Sequence, residues 1–201
     1  MIREQSPEFS GLVLFAIPIA VFLVAFIVGW LIHRIGIINT IVLGVTLAIV
    51  SCVLQLFFTV NTPLWFIIIA FILLGSMWAM GNTVPIIAAQ TAVGPARSSV
   101  ATGTIVTMFN IGGSIGLAIS IVVYHLTAVG NLKQTAEHFN FSQVEKLISN
   151  PAEVMKHLID QNTHEIFNNA FMSGFTGVIW FLLSLSVLIL LSIYIFNFAK
   201  K

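Results

Sequence analysis

The chain has 201 residues, of which 58% are hydrophobic and only 7% are charged, and its formal net charge is +1. Soluble domains carry about 25% charged residues, so this composition excludes a soluble globular protein and predicts an all-α integral membrane protein. The near-neutral charge gives no support for nucleic-acid binding. The single cysteine, Cys52, excludes an intrachain disulfide and a metal site built on thiols.

Five apolar stretches are long enough to cross a bilayer, which takes about 20 residues per helix. Each must be helical, because a lone apolar segment in lipid satisfies its backbone groups only internally. The predicted spans are approximately residues 11–32, 37–58, 64–90, 99–124 and 167–198. The polar start and the length of the first run predict that it spans the membrane and is not a cleaved signal peptide.

The loops predict an orientation. One side carries basic residues and no acid, namely Arg34, Arg97, Lys200 and Lys201, whereas the other side carries all seven acidic residues. Basic residues near the ends of spans mark the cytoplasmic face. The sequence therefore predicts a multi-pass protein of the plasma membrane, with its N-terminus outside and its C-terminus in the cytoplasm.

The outer loop, residues 125–166, is the one sizeable polar segment. A capping box at Ser142–Glu145 and a proline-led start at Asn150–Glu153 predict two short helices over the outer mouth of the bundle. A partner-binding face is the alternative. The histidines of this loop match no ligand spacing, so we predict neither a metal nor a cofactor.

Small residues on the fourth span predict close helix packing, since small side chains let helices approach each other in lipid. The packing candidates are Gly103, Gly112, Gly113 and Gly116. The contact is either static or a sliding surface in a moving bundle. Pro18 and Pro85 lie inside apolar spans and are hinge candidates, although static membrane helices also tolerate proline.

Polar side chains inside spans usually face the interior of a bundle. Asn82, Gln90 and Asn110 are therefore candidates for lining a cavity, with interhelical hydrogen bonding as the alternative. No acidic or basic residue lies within any of the five predicted spans. A proton-driven carrier needs an embedded carboxylate, so this chain cannot supply that coupling by itself. No nucleophile motif or phosphate-binding loop is present, and we predict that the chain is not an enzyme.

Several motifs carry a family resemblance. The entry to the first span reads Ser6-Pro-Glu-Phe-Ser-Gly11-Leu12, and the first turn reads Gly29-Trp-Leu-Ile-His33-Arg34-Ile-Gly36, in which His33 stands where the family has an acid. Further along come Val93-Gly-Pro-Ala-Arg97, Gly112-Gly-Ser-Ile-Gly116 and Ala170-Phe-Met-Ser-Gly174-Phe175. This ordered set resembles the C-terminal part of a major facilitator superfamily transporter, of the fourteen-helix drug:proton antiporter (EmrB/QacA) type.

The resemblance implies that the five spans correspond to the last five of fourteen helices, in a half that rocks against the first half around a central site. It implies cytoplasmic gating-loop candidates at Gly29, His33, Arg34, Gly36 and Arg97. It also implies that the proton-coupling acids lie in a first half that this sequence does not cover.

We therefore expect a C-terminal fragment or half of a proton-coupled multidrug efflux transporter, inactive alone. Its expected partners are the lipid bilayer, the missing N-terminal half or another transporter chain, and a small amphiphilic substrate in the complete transporter. The alternative is a small non-transport membrane protein that binds or regulates a transporter through the glycine face that contains Gly112 and Gly116.

Overall fold

The computed structural model describes residues 7–59, 61–135 and 161–198, and all regular structure in these ranges is helical. The helices are α1 (Pro7–Leu14), α2 (Ala16–Ile35), α3 (Ile37–Leu56), α4 (Leu64–Val93), a 3-10 turn (Pro95–Arg97), α5 (Ser98–Thr135) and α6 (Gln161–Phe198). Within the described ranges, five helical stretches are long and apolar enough to cross a membrane. The predicted fold class, an all-α membrane protein with five long apolar helices, is confirmed.

The helices extend beyond the predicted spans. Helix α5 continues to Thr135 and α6 begins at Gln161, so both ends of the predicted outer loop are helical. The two short helices predicted within residues 142–159 lie outside the described part of the chain.

The first apolar stretch is interrupted at Phe15, between α1 and α2. Pro18 explains the interruption, because it has no N–H to donate to the carbonyl of Leu14, four residues earlier. The backbone bonds continue around the gap: Phe15 N–H donates to Gly11 O at 3.0 Å, and Ile19 N–H donates to Phe15 O at 3.2 Å. Phe15 itself keeps helical torsion angles, φ −65° and ψ −16°, so Pro18 removes one hydrogen bond within the first span, and its role as a hinge stays a prediction.

The described residues fall into two compact units. One comprises those up to Ile115 and those from Leu182 onward, and the other comprises Gly116 to Phe181. In the first unit, α4 packs against both α2 and α3. The core there is formed by Val28, Met80 and Val84, which are buried.

Isolated glycines allow the closest helix contacts. A Cβ built on Gly75 of α4 would collide with the carbonyl oxygen of Ile17 and lie 2.8 Å from Ala20 Cβ. A Cβ on Gly44 of α3 would lie 3.1 Å from Met80 Cβ. Any larger residue at Gly75 would force α2 and α4 apart.

The second unit uses the same device between α5 and α6. A Cβ on Gly174 would lie 2.6 Å from the Tyr124 ring, and one on Gly177 would lie 2.7 Å from the Thr127 side chain. Ser173 Oγ donates to the Thr127 carbonyl at 3.5 Å. The small residues thus bring the two helices into direct contact within this unit.

A buried hydrogen-bond chain joins α3 to α4. Ser51 Oγ donates to Ala70 O at 2.9 Å, and Gln55 Nε2 donates to Ser51 Oγ at 3.0 Å. Ser51, Gln55 and Ala70 are all buried. Buried polar groups in a membrane helix need such partners, so this contact fixes the register of the two helices.

Candidate functional site

The turn between α2 and α3 presents two basic side chains. Gly36 adopts φ 84°, a left-handed conformation that favours glycine, and its N–H donates to Ile32 O at 2.9 Å. The turn leaves His33 and Arg34 exposed at the end of α2, with the Arg34 guanidinium 5.8 Å from the centre of the Trp30 ring. Arg34 is therefore presented at the helix end against an aromatic surface.

The turn between α4 and α5 repeats this design. Gly94 has φ 76°, and its N–H donates to Gln90 O at 3.1 Å. The 3-10 turn that follows begins at Pro95 and ends at Arg97, whose side chain is exposed. The two arginines among the gating-loop candidates, Arg34 and Arg97, thus lie close in sequence to a glycine with positive φ. Each of these glycines lies at the end of a long helix. The remaining candidate, Gly29, is exposed, and a Cβ there would meet no atom within 4 Å.

Gln90, a cavity-lining candidate, makes an interhelical hydrogen bond. Its Nε2 donates to Thr102 Oγ1 of α5 at 2.8 Å. Thr102 Oγ1 in turn donates to Ser98 O at 3.0 Å. This bond joins the end of α4 to the start of α5 across the turn that carries Arg97.

Asn82 and Asn110, the other cavity-lining candidates, are exposed. Asn82 Nδ2 donates to Trp78 O of its own helix at 2.9 Å, whereas the Asn110 side chain makes no hydrogen bond to the described part of the chain. An amide offers two donors and one acceptor, so both side chains keep unused bonding capacity. At 1.5 Å per residue, Asn110 lies about 18 Å along α5 from Ser98, near the middle of a hydrocarbon core of about 30 Å.

The packing candidates of α5 face open space. An ideal Cβ on Gly103, Gly112, Gly113 or Gly116 would meet no atom within 4 Å. Every residue from Val106 to Ile115 is exposed. The close helix contact that these glycines predict is therefore not formed within the described part of this chain, and it stays a prediction about contacts with other helices.

Pro85 lies in the wall of an apolar cavity. Helix α4 passes through Pro85 without interruption, although Pro85 offers no N–H to the carbonyl of Gly81. The cavity has a volume of about 460 Å³ and lies among α3, α4, α5 and the second half of α6. Its lining residues are Ile41, Gly44, Val45, Ala48, Met77, Met80, Gly81, Pro85, Phe109, Leu182, Leu185, Ser186 and Ile189.

Most of the residues that line this cavity could not be predicted from the sequence. Among the lining residues, only Pro85 is a candidate from the sequence. A proline is unusual within an apolar span, whereas Met77 and Phe109 are ordinary residues there. No sequence signal marks the other lining residues, because they are ordinary residues of apolar spans.

A comparison with known families shows the superfamily of the chain. The family model of the Major Facilitator Superfamily matches residues 3–117, more than half of the 201 residues. The chain belongs to the major facilitator superfamily. The matched region contains both glycine turns, Asn82, Asn110 and the cavity walls contributed by α3 and α4. None of the curated proteins and none of the solved structures matches the chain. Members of this superfamily are transporters and not enzymes, and the predicted superfamily is confirmed.

Proposed function

We propose that this major facilitator chain is the C-terminal part of a proton-coupled multidrug efflux transporter. It transports only together with further helices, which come from the N-terminal half or from another transporter chain. The observation that carries the proposal is the exposed amide of Asn110 near the middle of an apolar span. A polar group is costly to leave in lipid, and polar residues in spans face the interior of a bundle or a water-filled cavity.

The distribution of charge supports the same proposal. The five predicted spans contain no acidic or basic residue, so they hold no carboxylate that could bind and release a proton. Proton coupling must then come from helices outside the five. On this proposal, Asn82 and Asn110 line the substrate cavity, and Pro18 and Pro85 serve as hinges. The glycine face of α5, with Gly112 and Gly116, packs against a neighbouring helix.

We also propose that the protein resides in the plasma membrane with its N-terminus outside and its C-terminus in the cytoplasm. The support is the placement of Arg34 and Arg97 on short turns that are separated by two spans and therefore lie on one side. These turns, with Gly29, His33 and Gly36, form the cytoplasmic gating loops of the proposed transporter.

Cysteine labelling tests the orientation. Asn61→Cys and Ala96→Cys place thiols at exposed positions on opposite turns, and the native Cys52 is buried and contributes little background. An impermeant maleimide added to intact cells should label the cysteine at position 61 and leave the one at position 96 unlabelled. The reverse pattern would contradict the proposed orientation.

Reconstitution tests the function. The purified chain in liposomes, given a pH gradient and an amphiphilic fluorescent dye, should show no proton-driven dye movement. The same chain in membranes that also contain its partner helices should transport the dye, and Asn110→Leu should abolish that transport. Thr104→Val is the matched control, because the Thr104 hydroxyl is already bonded to Val100 O at 2.9 Å. Robust transport by the chain alone would refute the proposal, and a partner complex without transport would favour a regulatory protein.

A further inference from the structure

Three concavities that share lining residues follow α3 from the basic turn between α2 and α3 to the cavity beside Pro85, and we call this series the path. A concavity at the turn has His33 and Ile38 in its wall. It shares Ile38 with a groove of about 470 Å³ between α3 and α6. That groove shares Ile41 and Ile189 with the cavity of about 460 Å³. The three spaces adjoin one another and lie in the same compact unit.

The length of this path matches one leaflet of a bilayer. From Ile37 to Ala48, the limits of its wall on α3, the path covers eleven residues, or about 16 Å at 1.5 Å per residue. One leaflet supplies about half of a hydrocarbon core of about 30 Å. The path therefore begins at the depth of lipid headgroups and ends near the middle of the membrane.

The interior of the path suits a hydrocarbon chain. The side chains of the cavity are aliphatic, aromatic or thioether groups, with Ser186 as the exception. The Ser186 hydroxyl already donates to Leu182 O of its own helix at 2.9 Å. Met77 and Met80 add flexible thioethers, which adapt to irregular apolar ligands. The lining side chains of the inner cavity therefore demand no polar group from an occupant, and the one hydroxyl of the groove, Ser192, is exposed.

The mouth of the path suits an anion. His33 and Asn39 line the mouth, and Arg34, which is not in the lining, is exposed and follows His33 directly in the sequence. The sequence holds no acidic residue between Glu8 and Glu137, so no neighbouring carboxylate along this stretch neutralises the Arg34 guanidinium. Guanidinium groups recognise phosphate through paired hydrogen bonds, and Trp30 is a residue type typical of the headgroup layer.

We propose that this path is a binding site for an anionic phospholipid of the leaflet that faces the Arg34 turn. The lipid phosphate lies against Arg34, and one acyl chain runs past Ile38 and Ile41 into the cavity beside Pro85. The proposal needs neither the assigned orientation nor any transport activity, because it depends only on the spans, the turn and the adjoining cavities.

Native mass spectrometry of the full chain in mild detergent tests the site. Titration with phosphatidylglycerol, and with phosphatidylcholine of the same acyl chains, should show one phosphatidylglycerol retained per chain and weaker retention of phosphatidylcholine. Arg34→Gln removes the charge and should weaken phosphatidylglycerol binding roughly tenfold, as expected for the loss of a charge-assisted hydrogen bond. It should weaken phosphatidylcholine binding less, because the choline cation already offsets the phosphate charge of that lipid.

A second set of variants tests the acyl-chain path. Ile41→Trp narrows the point where groove and cavity meet, and Ile38→Trp narrows the more exposed mouth. Each should weaken the binding of both lipids. Because Ile41→Trp disturbs packing against the core, the helical circular dichroism of each variant is measured, and Ile38→Trp carries the test if Ile41→Trp unfolds.

Two controls match these changes. Arg97→Gln removes the equivalent charge from the other basic turn, and Val187→Trp adds the same bulk to α6 at a position outside the lining of the path. Both should bind phosphatidylglycerol like the wild type. Equal retention of the two lipids by the wild type would overturn the proposal. Wild-type binding by Arg34→Gln and Ile38→Trp, or an equal loss in the controls, would also overturn it.

Discussion

Helices α2 to α4 and the first part of α5, residues 98–115, belong to one compact unit but use their small and polar residues differently. In α3 and α4, Gly44 and Gly75 lie against neighbouring helices, and Ser51 is buried and hydrogen-bonded across the interface. In α5, Gly112 and Gly113 face open space, and the Asn110 amide has no partner among the described residues.

The contrast shows that similar residues can serve two kinds of interface. Lipid can cover the exposed apolar side chains of α5, but it cannot satisfy an amide near mid-membrane. The packed glycines of α3 and α4 complete an interface within the chain. Among the described residues nothing covers the exposed face of α5, and the proposed function assigns that face to an interface with further helices.

The largest effect is expected from a methyl group added at Gly75. Gly75→Ala forces a Cβ against the Ile17 carbonyl and Ala20, so it should lower the free energy of unfolding by about 1–3 kcal/mol, the usual cost of overpacking. Thermal unfolding in detergent, followed by helical circular dichroism, measures the change. Gly113→Ala is the control and should leave stability unchanged or slightly higher, since alanine favours helix and the site is open. Equal losses of stability in the two variants would contradict the difference between the packed glycine of α4 and the exposed glycine of α5.

A smaller loss is expected from Ser51→Ala. The change removes the bond to Ala70 O and leaves the Gln55 amide without its buried acceptor, so it should cost about 1 kcal/mol, within the range found for hydrogen bonds between membrane helices. Thr46→Ala is the comparison, because the Thr46 hydroxyl bonds only Val42 O of its own helix. In the same unfolding assay, Ser51→Ala should be less stable than Thr46→Ala. The reverse order would show that the Ser51 hydrogen bond does not stabilise the contact between α3 and α4.

Gln90→Leu tests the one side-chain hydrogen bond that ties α4 to α5 beside the Arg97 turn. Its loss should cost about 0.6 kcal/mol, the average for such bonds in membranes, because Gln90 is only half-buried. Thr91→Val, which removes a hydroxyl bonded within its own helix, is the control. The difference between the free energies of unfolding of the two variants measures the contribution of the bond. Identical values would show that the bond contributes nothing to stability.

The smallest change in stability is expected at Asn110. Asn110→Leu should alter the stability of the isolated chain by less than about 0.5 kcal/mol, as is usual for exposed positions without specific contacts. A substantial loss in the unfolding assay would mean that Asn110 already has a partner within the chain. That result would remove the main support for further helices.

The sequence predicted the elements well because length and apolarity alone define a membrane span. The same reasoning could not find the contacts. Gly44 and Gly75 each lie four residues before an alanine, which is a small-residue spacing, but this spacing does not say which backbone crosses them. Gly112 and Gly116 do have the GxxxG pattern, yet it predicts a close contact without naming the partner. The Ser51 bond to Ala70 depends on the register between α3 and α4, which single-helix patterns do not encode.

The cavity could not be predicted from the sequence either, because its lining residues come from four helices and are ordinary residues of apolar spans. Pro18 and Pro85 illustrate a further limit. Each leaves a carbonyl four residues earlier without its helical donor, but α1 and α2 separate near Pro18 whereas α4 continues through Pro85. The sequence predicts the missing bond in both cases, but it does not predict at which of the two prolines the helix is interrupted.

The most direct test of the account asks what surrounds the Asn110 face of α5 in the native membrane. A photoreactive amino acid replaces exposed Thr107, three residues before Asn110 on the same side of the helix. A second probe replaces Val187, an exposed apolar position on α6. After illumination, mass spectrometry of the adducts should find protein or water at position 107 and lipid at position 187. Lipid adducts at position 107, as frequent as those at position 187, would contradict the claim that this face of α5 meets further protein or a water-filled cavity.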